Sequence, residues 1–326
     1  LARLSGRNNP ATTMNTRRLR LLYLLPLFGL FACGNRTDRP SYTDTPTSGT
    51  IDIVVDESYE PLIKVQLDTF MRIYKYANIR ARYLPEAEVM NELLHNDSVH
   101  IAITARKLTK DETTEFDKQR IIPRYTKIAV DAVALLVHPD NPDTALGTEQ
   151  LRAIVQGKTS TWKIKKKKKG SADTIRIVFD RSGSSNTRYL KEEFLEGGNF
   201  PPNCYATNSN ADVIDYVATH PNALGIISVN WISDSDDPTV NEFLKKVRVV
   251  YLAAEGESAF VQPYQAYIAL KSYPLTRDVY VISREGRNGL GTGFAAFAAA
   301  DQGQRLVRMM GLLPATMPVR IVNLHE

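Results

Sequence analysis

Short β-branched or apolar segments alternate with amphipathic segments along most of this chain, and this alternation constrains its fold more than any other feature. Each apolar segment is five to ten residues long and is bounded by turn-forming residues, which is typical of a buried strand. Strands and helices in alternation indicate an α/β fold with largely parallel sheets. The nine strand candidates are residues 51–55, 79–83, 100–104, 128–137, 174–179, 224–228, 247–252, 266–270 and 279–283.

The segments between these strand candidates carry apolar residues at helical spacing. A chain of 326 residues is long enough for about two domains. Its hydrophobic content of 43% and charged content of 24% exclude wholesale disorder, a collagen-like chain and a polytopic membrane protein. The helix candidates are residues 61–76, 86–95, 148–155, 187–196, 210–219 and 293–310.

The net charge of +5 originates in residues 1–33, which contain five arginines and no acidic residue. The rest of the chain is neutral, although five lysines at 165–169 stand together between Trp162 and the strand predicted to begin at Thr174. We interpret this run as a solvated surface loop; binding to an acidic surface is the alternative. A charge distribution of this kind does not predict a nucleic-acid-binding face.

Residues 14–33 have the features of a secretory signal sequence. Three arginines precede an apolar run at 21–32, which Pro26 interrupts and which ends at Cys33. These twelve residues are too few for a membrane-spanning helix, which needs about 18 to 20. A short buried helix is the alternative interpretation.

The end of this segment, Leu-Phe-Ala-Cys, resembles a bacterial lipobox, in which the cysteine is lipidated and becomes the mature N-terminus. The sequence therefore predicts a signal peptide at 1–33, with 1–13 as an upstream extension, and lipidation at Cys33. Residues 34–50 are rich in Thr, Ser, Pro and Asp, which is typical of a flexible tether.

Residues 180–188 follow one strand candidate and begin a helix candidate. The start of a helix presents unpaired backbone N–H groups and a partial positive charge, which together favour an anion. The alternative is an ordinary helix capped by Ser or Asn. The side chains that could donate hydrogen bonds to an anion here are Arg181, Ser184, Ser185, Asn186 and Thr187.

Other common chemistries lack their residues in this sequence. Residues 180–188 contain neither a P-loop nor a Gly-x-Gly-x-x-Gly motif, and the Ser elbow of hydrolases is incomplete because position 187 is Thr. One thiol beyond Cys33, Cys204, cannot form a disulfide framework or a cysteine zinc site. We predict no enzyme activity, no metal and no cofactor. The histidines, none at metal-ligand spacing, are His95, His100, His138, His220 and His325.

Residues 131–162 contain AVALLVHPDNP at 132–142, LGTEQLRAIVQGK at 146–158, and Trp162. With this pattern the segment resembles the phosphate-binding PstS proteins. Further similarities follow in the same order at 181–187, at ALGIIS in 223–228, and in the tail 294–314. The resemblance thus covers residues 51–315.

This resemblance implies a type II periplasmic binding protein, with two α/β lobes joined by crossing strands. Such a protein closes on an oxyanion and passes it to an ABC permease. The analogy assigns residues 51–130 and 245–326 to lobe one and residues 131–244 to lobe two. It implies a monomeric, periplasmic lipoprotein that is anchored to the membrane by its N-terminal lipid.

The resemblance also assigns anion-binding residues. Ser58 and the N–H of Tyr59 match the family's first anion-binding turn, and Thr104 stands at the end of the third strand. In the second turn, Arg181 is expected to be the main charged anchor, with an ion pair to Asp180 or Glu193 as its alternative role. The remaining matches in the second turn are Ser184, Ser185, Asn186 and Thr187.

Two positions depart from the family pattern. Glu86 lies where the family has a Gly/Ser-rich loop, and Ala105 replaces a carboxylate or hydroxyl. A carboxylate near a dianion repels it unless a proton or a counterion intervenes. Phosphate binding is the leading hypothesis, with sulfate or molybdate as related ligands. The alternatives are a sensor or scaffold module that has lost its ligand and, third, an enzyme.

Overall fold

The computed structural model describes residues 43–162, 174–234 and 236–316. The predicted lipidation site Cys33, the residues of the tether before Thr43, and the lysine run at 165–169 lie outside these ranges. Within them, no helix combines the length and the apolar character that crossing a bilayer requires.

The described residues form twelve strands and ten α-helices. The strands are β1 (Ser48–Asp56), β2 (Tyr76–Leu84), β3 (Val99–Thr104), β4 (Arg124–Val137), β5 (Ala145–Gly147), β6 (Arg176–Phe179), β7 (Cys204–Ala206), β8 (Ala223–Ser228), β9 (Arg248–Val249), β10 (Tyr251–Ala253), β11 (Thr276–Ser283) and β12 (Leu313–Pro314). The helices are α1 (Glu60–Ile73), α2 (Glu86–His95), α3 (Lys110–Lys118), α4 (Thr148–Val155), α5 (Ser185–Leu195), α6 (Asn210–Thr219), α7 (Pro238–Lys246), α8 (Gln265–Ala269), α9 (Leu290–Ala299) and α10 (Asp301–Met309).

One continuous sheet contains ten of these strands. Eight follow the order β2, β1, β3, β11, β4, β8, β6, β7, and β9 and β12 pair with β4. Strands β1, β2 and β3 are parallel at one end of the sheet, and β6, β7 and β8 are parallel at the other. Two antiparallel crossing strands, β4 and β11, join the ends. The predicted two-lobed α/β fold is confirmed.

Each end of the sheet has its own hydrophobic core. We define lobe one as β1–β3 with α1–α3, α9 and α10, and lobe two as β5–β10 with α4–α8. In lobe one, helices cover both faces of the sheet: Ile53 and Val55 of β1 pack in one cluster, and Val54 packs in another with α2. A strand that is buried on both faces is apolar at successive positions, and this explains the unbroken apolar run at residues 53–55.

The return from lobe two to lobe one occurs later in the chain than the sequence predicted. Val250, Leu252 and Tyr273 belong to the core of lobe two. Strand β10 pairs with β5, and β9 pairs with the end of β4, so that residues beyond 245 remain in lobe two. The chain re-enters lobe one with β11.

Three local predictions differ from the structure. Residues 266–270 form α8 rather than a strand, and Ile268 is the buried residue of this helix. The single helix predicted at 293–310 is two helices, α9 and α10, with Ala300 at the junction. Helices α3 and α7 were not predicted, because each buries one side chain and therefore shows a weak apolar pattern.

Candidate functional site

The first predicted anion-binding turn links β1 to α1. A 3-10 turn (Glu57–Tyr59) follows β1, and Asp56 Oδ1 accepts a hydrogen bond from Ser58 N at 3.0 Å. Pro61 lies in the first turn of α1, where backbone N–H groups have no acceptor within the helix. Its lack of an N–H therefore does not destabilise the helix. This local geometry places the buried Ser58 hydroxyl 3.2 Å from the hydroxyl of Ser185 in lobe two.

The second predicted turn links β6 to α5. Ser184 caps α5, because its Oγ accepts from Thr187 N at 3.2 Å. The fully buried Asp180 carboxylate accepts hydrogen bonds from the Ser184 hydroxyl and, at 2.8 Å, from Asn186 Nδ2. The side chains of Ser184 and Asn186 therefore stabilise the turn itself, whereas the Ser185 hydroxyl contacts lobe one.

Arg277 of β11 lies beside the point where the two turns meet. Its Nη1 donates to Ser185 Oγ at 3.1 Å, and its Nε donates to Asp131 Oδ2 at 2.9 Å. Asp131 also accepts from Ser228 Oγ, and the guanidinium lies 5.6 Å from the Tyr59 ring centroid. Arg277 is not among the predicted site residues, although an arginine on the buried face of a strand was an available signal.

Two of the predicted ligand residues have other partners. The Arg181 side chain is 45% exposed, donates to Asn208 O at 2.7 Å and lies 3.4 Å from the Glu57 carboxylate. Its ion-pair partner is thus Glu57 rather than Asp180 or Glu193. The Thr104 hydroxyl donates to Arg106 O at 2.7 Å, so this side chain stabilises the turn after β3.

Glu86 is neutralised by two arginines from opposite lobes. Its carboxylate is 2% exposed and binds Arg188 through both oxygens. Arg106 Nε donates to Glu86 Oε1 at 3.2 Å, and Arg106 also binds Glu112 at 2.7 and 2.8 Å. The counterion that the sequence analysis required beside this carboxylate is therefore present in the chain itself.

Burial raises the pKa of three carboxyl groups in this region. The pKa of Asp56 rises to about 7 through burial and the nearby charge of Glu86, against the opposing effect of Arg277. Burial, followed by the charge of Asp180, raises the pKa of Glu57 to about 7. Burial also raises the pKa of Asp180 to about 6, although hydrogen bonds from its turn oppose the rise.

We expect the free energy of unfolding to fall by at least about 1 kcal/mol as the pH rises from about 5 to about 8. In this interval the folded chain holds protons on Asp56 and Glu57 that the unfolded chain, with pKa values near 4, has already lost. Raising the pH removes these protons and with them the stabilisation. Urea unfolding at several pH values measures the slope.

The variant Asp56→Asn should flatten this slope, because the amide keeps an acceptor for Ser58 N and does not titrate. Asp68→Asn on the exposed face of α1 is the control and should leave the slope unchanged. Stability that is constant or rises between these pH values in the unmodified chain would contradict this assignment.

Asp44, His100 and Glu285 form a second cluster, in which the potential metal-ligand atoms lie within 4.8 Å of one another. The carboxylate of Glu285 accepts from the N–H groups of Gly291 and Thr292 at 3.0 and 2.7 Å. Asp44 accepts from Leu290 N at 2.7 Å. These carboxylates therefore cap the start of α9, and their hydrogen bonds account for the cluster without a metal.

Comparisons with known proteins agree with this architecture. The chain matches the family model of the PBP superfamily domain over residues 40–302. It is 25% identical over 298 residues to the phosphate-binding protein PstS of Pseudomonas aeruginosa, with 85% of each chain covered. It is 22% identical over 312 residues to PstS of Bacillus subtilis, which covers 93% of this chain and 96% of the relative.

Solved structures show the same fold. A Clostridium perfringens substrate-binding protein assigned to phosphate ABC transport, solved with bound phosphate, superimposes with a TM-score of 0.66 at 21% identity and covers 82% of this chain and 100% of that chain. An ABC-type phosphate transport receptor from Vibrio cholerae gives a TM-score of 0.60 at 22% identity with the same coverage.

Proposed function

Because the chain belongs to the PBP superfamily, we propose that it is a solute-binding protein that captures phosphate between its lobes and delivers it to an ABC permease. One observation carries this proposal: the hydroxyl groups of Ser58 and Ser185 lie 3.2 Å apart. Each stands near the start of a helix, and the two helices belong to opposite lobes. Backbone N–H groups at helix starts, hydroxyl donors and a guanidinium together suit a tetrahedral oxyanion.

Within this proposal the ligand groups are the Ser58 hydroxyl, the N–H of Tyr59, and the Ser185 hydroxyl. Arg277 supplies the buried positive charge, because it donates to Ser185 while Arg181 lies at the surface and pairs with Glu57. The buried Tyr59 Oη has no hydrogen-bond partner among the described residues. A buried polar atom of this kind favours a ligand or water that would complete its hydrogen bonding.

Calorimetric titration with phosphate tests the proposal, and a thermal melt gives a second readout. Phosphate at about 100 times its Kd should stabilise the fold by about 2.7 kcal/mol. Ser185→Ala should weaken binding about tenfold, since a lost hydrogen bond to a charged group costs about 1.5 kcal/mol. Ser182→Ala, an exposed serine in the same turn, is the matched control and should bind as the unmodified chain does.

Arg181→Ala distinguishes the two arginines that could anchor the anion. If Arg277 supplies the charge, Arg181→Ala retains most of the affinity. If binding is abolished instead, Arg181 is the anchor, as the sequence analysis predicted. The absence of any heat or melting shift with phosphate, sulfate or molybdate at millimolar concentration would contradict ligand capture altogether.

A second candidate function is a sensor or scaffold module that has lost or changed its oxyanion ligand. The observation that favours it is the pairing of Glu86 with Arg106 and Arg188, which places a carboxylate of the chain beside the predicted anion site. Ala105 adds to it, because its side chain cannot accept a proton from phosphate. The phosphate titration separates this candidate from the first.

The proposal extends to location. Like the periplasmic phosphate-binding proteins it resembles, the chain would act as a monomer outside the cytoplasm, anchored to the membrane through lipid on Cys33. Each buried CH₂ of an acyl chain contributes about 0.8 kcal/mol to membrane binding. Cys33→Ala should therefore move the protein from the membrane to the soluble fraction, and a variant that still sediments with membranes would contradict lipid anchoring.

A further inference from the structure

A salt bridge between Glu86 and Arg188 joins the two lobes beside the predicted anion-binding turn. Glu86 is the first residue of α2 in lobe one, and Arg188 lies in the first turns of α5 in lobe two. Arg188 Nη2 donates to Glu86 Oε2 at 3.2 Å, while Arg188 Nε donates to Oε1. A two-point arginine–carboxylate contact is directional as well as strong.

A second arginine completes the environment of this carboxylate. Arg106 Nε donates to Glu86 Oε1 at 3.2 Å from within lobe one. The side chains of Arg106 and Arg188 are 20% and 23% exposed, and both contact the Glu86 carboxylate. Each also has a second acidic partner, Glu112 for Arg106 and the exposed Glu192 for Arg188. Glu86 is the acidic group that both guanidinium groups share, and its carboxylate occupies the oxyanion position between them.

The backbone reinforces the same contact. Ala87 N donates to Gly183 O across the lobes at 3.0 Å. Gly183 has φ +79°, and a Cβ there would lie 3.2 Å from the Ala87 Cβ. Since Gly183 and Arg188 flank the helix start that contains Ser185, the start of α2 covers the predicted anion-binding turn.

We propose that Glu86 is a built-in carboxylate ligand, which occupies the Arg106–Arg188 pair and holds the two lobes together without a small molecule. This contact does not include Ser58 and Ser185, which the proposed function assigns to phosphate, so the inference goes beyond that function. A free carboxylate or oxyanion should take the place of the side chain once Glu86 is shortened. The site would then accept anions such as formate, which has the same carboxylate group as the glutamate side chain.

Glu86→Ala tests the proposal by rescue. At about ten times its Kd, formate should raise the melting temperature of this variant by about 3 °C. Formate should not shift the unmodified chain or Glu88→Ala, the matched control, because Glu88 is an exposed glutamate in the same first turn of α2. A Glu86→Ala variant that folds and shows the same formate response as these two controls would overturn the proposal.

Small-angle X-ray scattering and hydrogen exchange of the unmodified chain supply a test that does not depend on the variant folding. The radius of gyration of the ligand-free protein should match that calculated from the structure, in which the lobes are in contact, and it should not shrink when phosphate is added. The N–H of Ala87 should be protected from exchange. Rapid exchange of this N–H, with a radius that shrinks when phosphate is added, would overturn the built-in ligand while supporting phosphate capture. A closed radius without any phosphate binding would support Glu86 as the ligand and contradict the proposed function.

Discussion

Replacing Arg277 with methionine is expected to lower the free energy of unfolding by about 3 to 5 kcal/mol. Arg277 and Asp131 are 3% and 0% exposed in their side chains, and they form an ion pair at 2.9 Å. Methionine is shorter than arginine but similar in volume and unbranched, so it leaves little empty space, yet it leaves the Asp131 carboxylate buried without its cation. The loss of charge compensation therefore dominates the effect.

Urea unfolding at pH 7 measures this loss. The double variant Arg277→Met with Asp131→Asn should recover part of it, since the unpaired charge is then absent. Arg80→Met is the matched control, because Arg80 pairs with Asp52 at the surface with 63% of its side chain exposed, and it should cost less than about 1 kcal/mol. Equal losses at Arg80 and Arg277 would show that the buried pair has no special role.

Gly303→Ala is expected to destabilise the fold by about 3 kcal/mol, although alanine normally stabilises a helix relative to glycine. A Cβ at Gly303 would lie 2.3 Å from Phe297 O and 2.6 Å from the Cα of Ala298. Both are backbone atoms, and no side-chain rotation can move them away. The close approach of α10 to the end of α9 therefore requires glycine at this position.

The matched control for this variant is Gly286→Ala, because a Cβ at Gly286 meets nothing within 4 Å. Its free energy of unfolding should change by no more than about 0.5 kcal/mol. Comparable urea midpoints for the two variants would mean that the junction between α9 and α10 shifts to admit the methyl group, contrary to this expectation.

The sequence predicted elements whose pattern is local. Helices α2, α4 and α6 have the predicted bounds, because apolar residues recur on one face of each. The predicted strand at 266–270 was wrong because five apolar or aromatic residues in a row fit either a short strand or one helical turn. Length and composition cannot separate the two until the packing partners are known.

The turn at residues 180–188 was predicted for the same local reason, since a capping serine and a following helix are visible within nine residues. The partners of Arg277 could not be predicted. Arg277 and Asp131 are 146 positions apart, and Glu86 and Arg188 are 102 positions apart. Such pairs depend on the crossing strands and on the docking of the lobes, which leave no periodic signal in one sequence.

The order of the strands has a consequence for biosynthesis. All of lobe two is encoded in one continuous stretch, whereas the sheet of lobe one lacks the strand that borders β3 until β11 has been synthesised. During that interval β3 presents an open row of backbone donors and acceptors, which invites pairing with other chains. A chain that ends before residue 276 would therefore keep an unprotected edge at β3, and such a chain should be prone to aggregation.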